Sequence, residues 1–363
     1  MLKKKILILL SALFLSGGCV RASFEDCGYF IRINFAFTNN PEGTNQLAAS
    51  IQDIRVYIYD SATGILAAVF RASPDEIDRG YMLIYALSGS YTVVAWASSN
   101  PDMFDNFDEG VTQPPTPPPP PPEPGETDSL PPPPPPPPVV VPVTPGQTPI
   151  GDTNIGLDTN PGTGGNNIPR NDQFGDLFHD SSEDEVSRPN RDLPDDDIEM
   201  DFNRMSSLLD IRIRGLQYLP ANVQRPPHVF VEGRNGALTP TGNVATDAPP
   251  MHYEPYDVAA NANEMEVRMQ TLKLQMNMEN TQPMMLHIQD RATGRDIVPP
   301  MNLITLIRNV RRADGTYPYR TQADIDRESE FRIMLDVTPE GGVSVSVNDF
   351  IVEQLVPILF TWN

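Results

Sequence analysis

Apolar and polar residues alternate with period two along much of this chain. In residues 30–38, Ile31, Ile33, Phe35 and Phe37 share one face and Arg32, Asn34 and Thr38 the other, the signature of a half-buried strand. Ile54, Val56 and Ile58 repeat it, as do Leu83 with Tyr85, then Tyr91, Val93 and Ala95 with Trp96 on the opposite face. The pattern returns after residue 200. Ile211 and Ile213 alternate with Arg212 and Arg214, and Val229 and Val231 flank Phe230. Leu272, Leu274, Met276 and Met278 line one face, as do Met284, Leu286 and Ile288. Ile333, Leu335 and Val337 can pair with Val343, Val345 and Val347 across Pro339-Glu340-Gly341-Gly342 as a hairpin. Helical signals are brief: Ser73-Pro74 followed by Asp75 and Glu76, Leu303 with Leu306, Ile307 and Val310, and Thr321 with Asp324 in the capping-box position. Short strands between turns predict an all-β chain of antiparallel sandwiches.

Residues 111–150 interrupt the pattern and hold half of the 40 prolines, with an unbroken run from Pro131 to Pro138. Proline fixes φ and lacks an amide donor, so neither helix nor central strand can form there. Polyproline II is the expected state, a disordered spacer reaching on the order of 100 Å if extended. Residues 151–170, rich in Gly, Asn, Thr and Asp, read as its flexible continuation. Asp152, Asn154, Gly156 and Asp158 alternate like a calcium loop. Leu157 and Thr163, however, occupy the places where an EF-hand needs Gly and Glu.

An internal repeat divides the rest. Tyr57-Ile58-Tyr59-Asp60-Ser61-Ala62-Thr63-Gly64 recurs as His287-Ile288-Gln289-Asp290-Arg291-Ala292-Thr293-Gly294. In both copies Asp can start a turn through its own backbone and Gly can supply a positive φ. Similar turns are common in β proteins. The alternative is two domains of one fold, at about 24–204 (carrying the insert at about 111–170) and 205–363.

The N-terminus changes the setting. Lys3, Lys4 and Lys5 precede the ten apolar-rich residues Ile6 to Leu15, then Ser16, Gly17, Gly18 and Cys19. Ten residues are too few to span a hydrocarbon core, which takes about 20 in a helix, so residues 1–18 read as a cleavable signal peptide. Small residues leading into a cysteine resemble a bacterial lipobox, with Ser16 where Leu is usual. Cys19 is therefore the expected lipidation site, and Cys27 is left as a small buried side chain or an intermolecular partner. The formal charge of −22 argues against nucleic-acid binding. Two cysteines exclude a disulfide scaffold. The four histidines, His179, His228, His252 and His287, are scattered in the chain and suggest no metal site. The acidic stretches Asp180–Glu185 and Asp195–Asp197 read as solvated surface.

Taken in order, these features resemble the fimbrial anchor and accessory lipoproteins of Bacteroidia-type fimbriae. The lipid cysteine Cys19 is followed by Asp26-Cys27 and the strand Phe30 to Phe37, then by the Val56 to Gly64 strand and turn and by Gly89 to Trp96. Asp176-Leu177-Phe178-His179 resembles a Leu-Phe-Tyr/His-Gly turn, with Asp180 in place of Gly. Ile211 to Leu216, Glu232 to Gly236 and Asp326 to Leu335 follow, and Val347-Asn348-Asp349-Phe350 stands where the family has an Ile-Asn-x-Trp strand. The insert is outside the resemblance. The resemblance implies two transthyretin-like β-sandwich domains and no catalysis or cofactor. It implies a lipid-anchored outer-membrane subunit, exposed as part of a fimbrium, that attaches fimbriae, limits their length and joins fimbrillin subunits by strand addition.

No Gly-x-Ser-x-Gly, His-Glu-x-x-His or phosphate-binding Gly loop occurs. Two alternatives to the anchor are a tip or accessory fimbrial subunit and a surface lipoprotein binding a glycan or host ligand. The second would use exposed aromatics such as Tyr57, Tyr59, or Tyr253 with Tyr256. A hydrolase on a β-sandwich is a further class. The apolar C-terminus, Phe350 to Trp362, reads either as a last strand of its own domain or as a strand donated to the next subunit.

Overall fold

A computed structural model describes residues 29–86, 89–100, 150, 155–156, 159–161, 167–169, 175–186, 197–278, 281–328, 330–352 and 358–359. In chain order the first eleven strands are β1 (Tyr29–Ala36), β2 (Asp53–Asp60), β3 (Ile65–Arg71), β4 (Tyr81–Ala86), β5 (Gly89–Ser98), β6 (Ile155–Gly156), β7 (Thr159–Pro161), β8 (Asn167–Pro169), β9 (Leu177–Val186), β10 (Ile198–Asp201) and β11 (Asn203–Arg204). Then come β12 (Ser206–Arg214), β13 (His228–Gly233), β14 (Ala237–Leu238), β15 (Met251–Tyr253), β16 (Asp257–Ala260), β17 (Glu264–Leu272), β18 (Met285–Gln289), β19 (Met301–Asn302), β20 (Val310–Arg311), β21 (Glu330–Val337), β22 (Gly342–Val347), β23 (Phe350–Val352) and β24 (Ile358–Leu359). The short helices are α1 (Leu47–Ser50), α2 (Pro74–Arg79), α3 (Leu303–Arg308) and α4 (Gln322–Arg327). The chain is all-β.

In the N-terminal half, a sheet ordered β10-β1-β4 faces one ordered β11-β9-β5-β2-β3. Ile31, Ile33, Phe35 and Phe37 are buried against Ile54, Val56 and Ile58 and against Val93, Ala95 and Ala97, as the alternation predicts. One expectation inverts. On β4, Met82 and Ile84 enter the core and Leu83 is 48% exposed, because β1 fixes the register Ile31↔Ile84 and Ile33↔Met82.

The C-terminal half sets a sheet ordered β16-β17-β12-β21-β22-β23-β20 against one ordered β19-β18-β13-β15-β8-β7. The predicted hairpin forms with the register Ile333↔Val347, Leu335↔Val345 and Val337↔Val343. The predicted apolar face from Leu272 to Met278 does not form. Strand β17 ends at Leu272, Met276–Met278 is a 3-10 turn, and Met265, Val267 and Met269 are the core positions. Residues 151–170 were expected to be flexible, yet β6, β7 and β8 fall within them: β6 pairs β14 and β8 pairs β15. The sheets are mostly antiparallel, with parallel pairs at β1/β10, β12/β21 and β8/β15. The first long strand of each half is flanked alike, β1 by antiparallel β4 and parallel β10, and β12 by antiparallel β17 and parallel β21.

The repeated turn has one geometry twice. Thr63 Oγ1 donates to Asp60 at 2.9 Å and Gly64 N to the Asp60 carbonyl at 2.7 Å, and the second copy matches at 2.7 Å from Thr293 Oγ1 and 2.8 Å from Gly294 N to Asp290. Gly64 and Gly294 have φ of 65° and 66°, a region L side chains rarely adopt. Both aspartates titrate below the usual carboxylate range, Asp60 chiefly through the Thr63 amide and Asp290 chiefly through the Gln224 amide.

Candidate functional site

Cys19, Cys27 and the proline tract lie outside the described residues, so the lipidation site has no structural account. Of the alternating residues Asp152, Asn154, Gly156 and Asp158 only Gly156 is described, and it forms β6 with Ile155. Among the described residues no group of His, Cys, Asp and Glu is placed to hold a metal ion, and no helix is long and apolar enough to cross a membrane.

Tyr57 and Tyr59, candidates for an exposed glycan platform, are buried at 4% and 1% exposure. With Leu66, Val94 and Trp96 they form the outer face of the β5-β2-β3 region, and that face is covered by Ile155, Leu177, Met205, Leu238 and Leu272. A sheet buried on both faces loses its period-two signature, which is why every residue from Asp53 to Tyr59 is buried. Tyr253 is likewise buried, its hydroxyl donating to Asn235 Oδ1 at 2.7 Å, and Tyr256 alone of the four is exposed, at 51%.

Polar contacts frame this apolar seam. Arg204 is paired with Asp176 and lies over the rings of Phe37 and Phe178. Gln270 Nε2 donates to Asp176 at 3.1 Å, and Lys273 meets Asp326 at 3.1 Å with both side chains about nine-tenths buried. His179 packs against Trp96 at 4.4 Å between ring centres, the rings tilted by 51°, and bonds the Pro240 carbonyl at 2.7 Å. Burial pushes its imidazole down to about 4, and Lys273 adds to the effect. An open polar cleft of about 580 Å³ lies beside the seam, bounded by Asn39, Asp201, Asn203 and Arg327.

The C-terminal segment lies on its own chain. Strand β23 follows β22 through a two-residue turn in which Asn348 and Asp349 have φ of 48° and 66°, the hairpin form with positive φ at both positions. The family-like Val347–Phe350 segment is thus this turn and its flanks. Strand β24 pairs β22 at Gly342↔Leu359 and Val343↔Ile358.

Three histidines scattered in sequence come together. His228 and Glu232 on β13, His252 on β15 and His287 on β18 occupy the face opposite the core residues Val229, Val231, Tyr253 and Ile288. The registers Phe230↔His287 and Glu232↔His252 set them side by side. Nothing in the linear spacing announces this; only the strand pairing does.

The architecture is all-β, with sheets packed face to face in each half. Residues 24–355 match the family model for the fimbrillin-A associated anchor proteins Mfa1 and Mfa2, and the chain belongs to that family. It is similar in structure to a protein from Bacteroides ovatus described as an adhesin, with a TM-score of 0.63 at 17% identity over 93% of this chain and 97% of that one. A Bacteroides thetaiotaomicron protein described as polysaccharide-binding gives 0.62 at 15% identity over 89% and 98%. The fimbrial anchor protein Mfa2 from Porphyromonas gingivalis gives 0.57 at 16% identity over 90% and 99%. At these identities the likeness is one of fold. No curated protein sequence matches the chain.

Proposed function

We propose that this protein is a fimbrial anchor subunit, an outer-membrane lipoprotein held by a lipid on Cys19 after removal of residues 1–18, which attaches fimbriae to the cell and limits their length. The observation that carries this reading is the anchor-family match over residues 24–355, which starts just after a lipobox-like Ser16-Gly17-Gly18-Cys19. Its work is structural, with binding by surface rather than by catalysis. Its two halves are two domains of one fold, divided near residues 204 and 205. The twice-built Asp-x-Ala-Thr-Gly turn and the matching neighbours of β1 and β12 support this.

Strand addition is the proposed mode of joining fimbrillin. Edge strands offer unpaired amides and carbonyls for main-chain bonding. Strand β16 is such an edge, paired only with β17 among the described residues and exposed at all four positions. The test compares cells lacking the gene with cells carrying Cys19→Ala. Both should shed fimbriae, abnormally long in the first case, into the culture fluid. Normal attached fimbriae in gene-deleted cells would overturn the anchor reading and favour a tip subunit or a ligand-binding lipoprotein.

A further inference from the structure

The histidine face of the second sheet pair has no part in that function, and its geometry is specific. Its side chains form an alternating row across three strands. His228 Nε2 lies 2.9 Å from Glu254, whose other oxygen is 2.7 Å from His252 Nε2. His252 Nδ1 is 3.2 Å from Glu232, and the second Glu232 oxygen is 3.8 Å from His287 Nε2. His287 Nδ1 closes the row on Asp296 at 3.1 Å. Beneath it Phe230, 4% exposed, has its ring centre 4.9, 4.4 and 4.8 Å from those of His228, His252 and His287.

Proton bookkeeping singles out one residue. A carboxylate only accepts, so each ring nitrogen facing one must carry a hydrogen. His228 and His287 can each meet the contact at or below 3.1 Å as a neutral tautomer. His252 faces a carboxylate with both nitrogens, which a neutral imidazole cannot satisfy. The groups facing it from the neighbouring elements are Glu232 and His228 on β13, Glu254 just past β15, His287 on β18 and Asp296 beyond it, so negative charge prevails around the ring. The face of Phe230 also favours a cation above it.

We propose that this row is a proton-operated clasp: an imidazolium at His252, bridging Glu232 and Glu254, ties β15 to β13, and loss of that proton loosens this sheet. The titration directions agree with the geometry. Burial works against charge on His252, but its bonds to Glu254 and Glu232 outweigh it and raise its pKa above 6.5. Burial likewise acts to raise Glu254, and its bonds to His228 and His252 bring it down to about 2. A raised histidine contributes stability that is full below its unfolded pKa and is lost as pH rises through its folded one. The stabilisation from the clasp is thus full between about pH 4.5, the ordinary value of Glu254, and about 6.5, the ordinary value of His252, and it is lost on the alkaline side as pH rises through the raised His252 value.

The test is a histidine titration by NMR on the folded mature chain, with urea unfolding of wild type and His252→Gln at pH 6 and pH 8.5. His252 should titrate above 6.5. Each unit above that value makes about a tenfold loss of folding constant toward alkaline pH, which His252→Gln should lack. A wild-type His252 that titrates at or below its ordinary value overturns the proposal, and so does equal pH dependence in the two proteins. Should His252→Gln fail to fold, Glu254→Gln takes its place in the comparison and the wild-type titration still decides.

Discussion

His179 shows what the sequence conceals at the scale of one side chain. It is read in the chain as part of a turn-like motif, and in the structure it is 4% exposed, wedged between Trp96 and the Pro240 carbonyl. Burial holds it neutral down to about 4, below the ordinary 6.5. A histidine depressed in this way contributes stability that is present above its unfolded pKa and is lost as pH falls through its folded one. We expect this group to cost roughly 3 kcal/mol between pH 6.5 and 4, from about 1.4 kcal/mol per unit. His179→Gln, whose amide can still donate to Pro240, should lose less stability over the same range in urea unfolding. Parallel losses in the two proteins would refute the assignment. The acid arm at His179 and the alkaline arm at His252 act in opposite directions, so each variant isolates its own window. Neither environment was legible in the sequence, because His179 depends on Trp96 and Pro240, far away in the chain, and His252 is set beside Glu232, twenty positions away, only by the pairing of β13 with β15.

At the scale of elements the sequence says more. Local chemistry was readable wherever a turn or cap is decided by a few adjacent residues. Ser73 and Glu76 form a capping box, as do Thr321 and Asp324, and the hairpin at Val337↔Val343 takes the expected register. Faces were less secure. Strand β4 is inverted because its partner, not its own pattern, sets which side is covered. On β17 the parity that leads inward at Met265, Val267 and Met269 puts a threonine, Thr271, in the core, and the next residue, Leu272, serves the seam between the halves. Strand β24 gives a test at this scale. It covers β22 at Gly342 and Val343, beside the stretch covered by β23. Deleting residues 353–363 should lower the stability of the C-terminal half by roughly 1–3 kcal/mol, the worth of a few net backbone bonds. Hydrogen exchange should quicken at the Gly342 and Val343 end of β22. Unchanged stability with loss of fimbrial assembly would instead support donation of this strand to another subunit.

For the whole molecule the decisive feature is the apolar seam. The alternation identified two sandwiches' worth of core but left Tyr57 and Tyr59 open to either a ligand platform or strand packing, since a pattern along one strand cannot show that a second body covers its outer face. The clue was present in residues 54–59, where apolar side chains occupy both faces, and in Trp96 opposite Ala95. Burying Tyr59, Trp96, Leu177, Leu238 and Leu272 in one cluster makes each half part of the other's environment. Hydrogen bonds from Gln270 to Asp176 and between His179 and the Pro240 carbonyl bridge across it. Under the proposed anchor function, a subunit fixed at one end and loaded at the other would benefit from such a seam, because force would then act on a single cooperative unit rather than on a hinge. Wild type should accordingly melt in one calorimetric transition. Trp96→Ala removes the largest fully buried side chain of the seam at a cost of roughly 3–5 kcal/mol. We expect its endotherm to split or broaden, with proteolytic cuts appearing near residues 204 and 205. A variant that melts in one sharp transition at lower temperature, with no new cleavage there, would show that Trp96 serves its own sandwich alone and that cohesion of the halves rests on the polar bridges.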